Sequence, residues 1–227
     1  MAFNLGLIAL FWLLLRFERR DLSVFGISPF SERFAQFLIG LALTITLSTT
    51  INVLFGLMAR FVWIRNEDYP LVQVLAAIYK TFNSVLFEEL IFRAYALYKL
   101  HQLFGEKVAV FATGISFGIY HWFTMGVLGN YPMMVWIFFY TGLWGIMFAY
   151  CYTRTGSILL ATGLHLGWNF FDQIIFNKMG HGLLMPLTSD HSVMLGQWSS
   201  FLITSFPTIV FAILMIIYLN KSEVPDM

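Results

Sequence analysis

Three short polar clusters interrupt otherwise apolar stretches of this chain. They are Glu88-Glu89-Leu90-Ile91-Phe92-Arg93, Phe117-Gly118-Ile119-Tyr120-His121 and His165-Leu166-Gly167-Trp168-Asn169. Together they offer two carboxylates, a guanidinium, two imidazoles and an amide, groups that move protons and hold developing negative charge. Lipid solvates such groups poorly, and placing one there costs several kcal/mol unless it is paired, hydrated or working. The clusters therefore read as a single functional site.

Spacing divides the roles. His165 and Asn169 are i,i+4, so a helix projects both from one face. Glu89 and Arg93 share that spacing in the favourable acid-first order and read as a structural ion pair. Glu88 lies about 100° around the helix from Glu89 and points into a different space. Phe117, one turn from His121, can wall that space.

The elements that must carry these residues follow from composition. Of 227 residues, 59% are hydrophobic and 11% charged, against about 25% charged in a soluble domain. Mean hydropathy is +0.77. So few charges cannot cover a water-facing surface, so the bilayer is the main solvent. Apolar stretches fall at roughly 1–15, 34–59, 71–98, 108–127, 132–152, 157–177 and 199–219, each of helix length. The expected fold is all-α: a polytopic membrane bundle of about seven transmembrane helices. It forms one domain over 1–227 with the catalytic core within 71–177. Residues 1–15 lack a basic start and a small-residue cleavage site and read as a retained first span. Net charge of +1 gives no nucleic-acid signal, and the lone Cys151 excludes an internal disulfide and a cysteine-built metal site.

Alternating spans put Arg16, Arg19, Arg20, Arg33, Lys99, Lys107, Arg154 and Lys221 at one end of the bundle. Arg60, Arg65 and Lys178 fall at the other, and the richer end is expected in the cytoplasm. Counted from that end at ~1.5 Å per residue, Glu88 lies about 15 Å deep, His121 about 20 Å, His165 about 12 Å and Asn169 about 18 Å. They share one slab of a ~30 Å core, with the site expected to open toward the cytoplasm. Asp172 reads as interfacial, Lys80 has no assigned role, and His181, Asp190 and His191 read as solvated loop residues. Trp63, Tyr69, Tyr98, Tyr131 and Tyr152 fit an interfacial aromatic belt.

The three motifs, in this order and on separate helices, resemble the CPBP family, intramembrane proteases related to the Rce1-type CAAX endopeptidase. That family carries E-E-x-x-x-R, F-x-x-x-H and H-x-x-x-N, and Arg154-Thr155-Gly156-Ser157 is similar to its usual lead-in to the third motif. The resemblance covers roughly 71–177 and implies peptide-bond hydrolysis by activated water. Glu88 would be the general base and His121 would help hold the water. His165 and Asn169, as neutral N–H donors, would stabilise the oxyanion, with Glu89, Arg93 and Phe117 supporting. The residues favour a metal-free site, since H-E-x-x-H is absent and Asn is an uncommon zinc ligand; the alternative is zinc held by Glu88, His121 and His165. The implied partners are membrane lipid and a peptide or protein substrate, lipidated or of leader type, with no nucleic acid. The implied setting is a prokaryotic cell membrane. Two other readings remain open: a non-catalytic immunity or scaffold protein of the same fold, and a proton-coupled transporter, for which no paired repeat is evident.

Overall fold

An α-helix satisfies its own backbone N–H and C=O groups, which lipid cannot do. The described residues are accordingly 78% helical. The computed structural model describes residues 1–178 and 181–221. In chain order the elements are α1 (Ala2–Phe17), α2 (Phe30–Ala59), β1 (Val62–Arg65), α3 (Leu71–Glu89), α4 (Ala96–Thr124), α5 (Tyr131–Thr155), α6 (Leu159–Phe170), β2 (Leu184–Leu187) and α7 (Gln197–Asn220). A wide π segment, Leu90–Tyr95, joins α3 to α4, and a second, Phe171–Ile175, extends α6.

Each of the seven apolar stretches contains a helix. Among the described residues, four helical runs are long and apolar enough to cross a membrane: Leu22–Ala59, Leu71–Thr124, Tyr131–Thr155 and Gln197–Asn220. The run Leu71–Thr124 has 54 residues. At ~1.5 Å per residue it would extend about 80 Å, far beyond one crossing of a ~30 Å core. Gly105 resolves this: its φ of 78° and ψ of 171° break the helix. That backbone conformation is open to glycine and closed to most side chains. The chain doubles back there, so the start of α3 and the end of α4 lie at the same end of the bundle.

The helix direction alternates as the sequence suggests. One end collects basic groups: Lys99 Nζ is 2.8 Å from Glu18, Arg154 Nη2 is 2.8 Å from Glu106, and Arg33 Nη1 donates to the Thr155 carbonyl at 2.6 Å. The opposite end carries a feature the sequence reading did not anticipate, an antiparallel β1–β2 pair with Val62 opposite Leu187 and Arg65 opposite Leu184. The aromatic belt needs correction at two positions. Tyr98 and Tyr152 are buried, and the Tyr152 hydroxyl donates to the Val24 carbonyl at 2.6 Å. An inward backbone acceptor, not the lipid boundary, holds that ring.

The apolar core falls into two clusters. Phe11, Leu15, Leu90, Ala94, Leu97, Tyr98, Val110 and Tyr152 form a closed cluster toward the basic end. Phe117, Trp144, Phe148 and Leu164 belong to a second cluster beside the motifs. Helix α6 is set by glycine. A Cβ on Gly163 would collide with the Phe37 carbonyl oxygen, one on Gly167 with Thr44 Oγ1, and one on Gly40 would lie 2.6 Å from the Leu160 carbonyl oxygen. α2 and α6 thus touch backbone to backbone, the close approach that small residues four apart permit. His165 lies on the face of α6 opposite Gly163 and Gly167.

Candidate active site

Glu88 and Glu89 are the last residues of α3, immediately before the first π segment. Single π turns inside α-helices frequently mark functional sites. Both carboxylates are buried. Glu89 is fully enclosed and serves two partners: its Oε1 is 3.4 Å from Arg93 Nη1 and 2.8 Å from His165 Nδ1. Arg93 is likewise fully buried; its guanidinium faces the rings of Phe117 at 4.2 Å and Phe148 at 5.1 Å, and Nη2 donates to the Gly145 carbonyl. The predicted Glu89–Arg93 ion pair is present. The contact of Glu89 with His165 is additional, and the sequence reading missed it because helical spacing identifies neighbours on one helix, not across two.

Glu88 faces the other way, as its angular offset requires. Its Oε1 accepts from Ser84 Oγ at 3.3 Å, and its Oε2 lies 3.7 Å from His165 Nε2 and 4.0 Å from His121 Nε2. Among the described residues Oε2 has no hydrogen-bond partner. Three helices far apart in sequence therefore bring Glu88, His121 and His165 to one point.

The tautomers follow from the far side of each ring. His121 Nδ1 is 2.8 Å from the Phe117 carbonyl oxygen, which can only accept, so Nδ1 carries the proton. His165 Nδ1 is held by the Glu89 carboxylate in the same sense. When neutral, both rings turn an Nε2 lone pair toward Glu88. This corrects the expectation that neutral His165 donates into the site: donation from Nε2 requires the imidazolium. Phe148 stacks on the His165 ring at 4.9 Å and 22°, and Phe117 packs against His121 at 4.4 Å, so both rings are fixed in orientation. Phe117 thus walls the site as predicted, and Phe148 is a second wall that no motif marked.

The donor types suit zinc, but the spacing does not. Ligands of a tetrahedral zinc with ~2.05 Å bonds lie about 3.3 Å apart, closer than either Glu88–histidine separation. Among the described residues no group of three His, Cys, Asp or Glu side chains is arranged to hold a metal ion.

Glu88, Phe117, His121, Phe148 and His165 form the floor of a cavity of about 570 Å³. Asn169 lines the same cavity, and its Oδ1 accepts from Gln173 Nε2 at 3.4 Å. Asp172, read as interfacial, also lines it and accepts from Asn52 Nδ2, and Lys80 lines it from α3. His181, Asp190 and His191 lie outside it, in the loops flanking β2. From the floor the cavity runs past Thr81, Thr124, Met125 and Gln173 to Tyr69, toward the β1–β2 end. Arg93, Leu90 and Leu97, all buried, close it on the basic side. The expected opening at the basic end is therefore corrected: the packed core fills that end.

Residues 70–171 match the family model described as type II CAAX prenyl endopeptidase Rce1-like. Neither curated proteins nor solved structures gave a match. The matched segment runs from the start of α3 to the first residue after α6 and holds all three motifs. With its apolar helical runs, the chain is an integral membrane protein. Its segment 70–171 is similar to the Rce1-like family of type II CAAX prenyl endopeptidases, consistent with the CPBP resemblance of its motifs.

Proposed function

We propose that this chain is an intramembrane endopeptidase that hydrolyses a peptide bond of a membrane-associated peptide or protein through water activated by Glu88. The single observation that carries the reading is the convergence on Glu88 Oε2, a buried carboxylate oxygen without a hydrogen-bond partner, faced by two imidazole nitrogens at 3.7 and 4.0 Å. A water donating one hydrogen to Glu88 and the other to His121 Nε2 is oriented with its lone pairs free for attack. Glu88 takes the proton as the water oxygen bonds to the carbonyl carbon, and the C=O π electrons move to oxygen. The imidazolium of His165 and the amide of Asn169 donate to that oxyanion. Collapse expels the amine, which takes the proton back from Glu88. Glu89 holds His165 and is itself held by Arg93. No metal takes part in this scheme, and the substrate is a lipidated or leader-type peptide.

The test is cleavage of such peptides by the purified chain in lipid, followed by mass spectrometry. Glu88→Gln is isosteric and removes the base, so turnover is expected to fall to background while the variant keeps its thermal midpoint. Retained cleavage in Glu88→Gln would refute the assignment, and reversible loss of activity on metal stripping would replace it with zinc chemistry.

A further inference from the structure

One carboxylate of the cavity has no part in the proposed hydrolysis. Asp172 follows Asn169 by three residues and His165 by seven, so a helix carries all three up one face. It lies in the second π segment, Phe171–Ile175, just as Glu88 and Glu89 abut the first. Such single wide turns occur often where a helix serves a site.

Asp172 lines the cavity wall and is short of donors. Its Oδ1 accepts from Asn52 Nδ2 at a long 3.4 Å. That amide gives its shorter bond to the Ser48 carbonyl, at 2.9 Å. Asn52 is fully buried, and its own Oδ1 has no hydrogen-bond partner among the described residues. Two acceptors therefore share one half-committed donor. No cation of the chain makes up the difference. Lys178 acts on Asp172 only at longer range, because its ammonium sits over the Phe55 ring at 4.4 Å. Lys80 lines the cavity from α3, and among the described residues neither lysine forms an ion pair with Asp172. A carboxylate at membrane depth without a counter-ion costs several kcal/mol unless something else compensates it.

Its height says where a compensating charge would come from. Seven residues at ~1.5 Å each put Asp172 about 10 Å from His165, on the side of the β1–β2 pair. An extended peptide rises ~3.3 Å per residue, so a bond held at the floor brings the third residue along beside Asp172. Trp168, one turn nearer the floor, and Tyr140, close enough to feel the Asp172 charge, line the same wall. Their ring faces favour a cation. Resting on the hydrolase reading, we infer that Asp172 is a specificity-determining residue: it selects peptides that carry a lysine or arginine about three residues from the cleaved bond.

Position-scanned peptides test this. Peptides of about nine residues, built from Ala, Leu and Ser, carry a single Lys or a single Glu at each position in turn; that length reaches Asp172 from the floor in either direction. Binding is measured on the full chain in lipid nanodiscs with Glu88→Gln, so that no peptide is consumed, and cleavage is mapped by mass spectrometry on the unaltered chain. At one or two adjacent positions Lys should bind about tenfold tighter than Glu, since the carboxylate pairs with one and repels the other. In the same background Asp172→Asn keeps the acceptor for Asn52 and should abolish the ratio, and Asp172→Lys should invert it. Each ratio is internal to one variant, so the amount of folded protein cancels. Equal binding of Lys and Glu peptides at every position overturns the inference, as does a preference that persists in Asp172→Asn; Asp172 is then only a brace between α2 and α6. A favoured Lys directly beside the cut bond overturns it too. A preference that depends on Asp172, with no peptide cut by the unaltered chain, sinks the hydrolase reading and leaves the charge recognition standing.

Discussion

Glu89→Gln probes the part of the site that local spacing did not reveal. Glu89 Oε1 holds His165 Nδ1 at 2.8 Å and Arg93 Nη1 at 3.4 Å, with no exposure to solvent. The amide keeps the shape and one acceptor but loses the charge that balances an imidazolium. A hydrogen bond to a charged partner contributes about 1.5–3 kcal/mol. If that support is needed mainly when the oxyanion forms, kcat/KM should fall about 10- to 100-fold per folded molecule, at ~1.4 kcal/mol per decade. Stability falls as well, because Arg93 stays buried without its counter-charge, and breaking such a pair costs about 3–5 kcal/mol. A second variant separates the two effects. Glu89→Gln combined with Arg93→Met removes both charges and should regain much of the thermal midpoint, since replacing a whole buried pair is often nearly neutral. Its activity should stay low. The assays are peptide cleavage normalised to folded protein and thermal unfolding in detergent. Wild-type cleavage per folded molecule in Glu89→Gln would refute the coupling between Glu89 and His165.

Other outcomes follow from the same geometry. Gly163→Ala should lower the thermal midpoint, because about 1 kcal/mol of helix propensity is outweighed by a Cβ driven into the Phe37 carbonyl, where overpacking costs about 1–3 kcal/mol and moves His165; an unchanged midpoint with unchanged turnover would contradict the backbone contact. Ser84→Ala removes the donor to Glu88 Oε1 and should reduce turnover several-fold with little effect on unfolding; increased turnover would mean Ser84 restrains the base. Lys99 and the Tyr95 hydroxyl hold the Glu18 carboxyl below its ordinary value of 4.5. Its stabilising contribution is therefore present above that value and is lost as pH falls through the lowered one. The midpoint difference between wild type and Glu18→Gln should be flat at neutral pH and vanish in acid, and a difference that grows in acid would reverse the sign.

Much of the site was legible in the sequence because the bilayer makes buried polar residues conspicuous. Glu88, His121 and His165 met as their depths required, and the angular offset of adjacent helix residues separated Glu88 from Glu89. What escaped notice depended on contacts between helices. Glu89 reaching His165, Phe148 stacking on that ring and Ser84 supporting Glu88 involve residues with no distinguishing spacing of their own. The β1–β2 pair escaped because four-residue strands between apolar helices resemble ordinary connections. The direction of the cavity could not be read from residue depths, since depth locates a residue along the bundle axis and says nothing of which side of it is filled. Packing at Leu90, Leu97 and Tyr152 decides that.

The pocket is closed at its base, on the side of Leu90, Arg93 and Leu97. Under the proposed hydrolase reading, fragments of a cut chain would leave on the side where the cavity lining continues, past Thr124, Met125 and Tyr69. A space of about 570 Å³ equals roughly nineteen waters at ~30 Å³ each, enough for a few residues and no folded unit. On the same hydrolase reading, such a pocket suits a loose end or a narrow loop and not a folded unit.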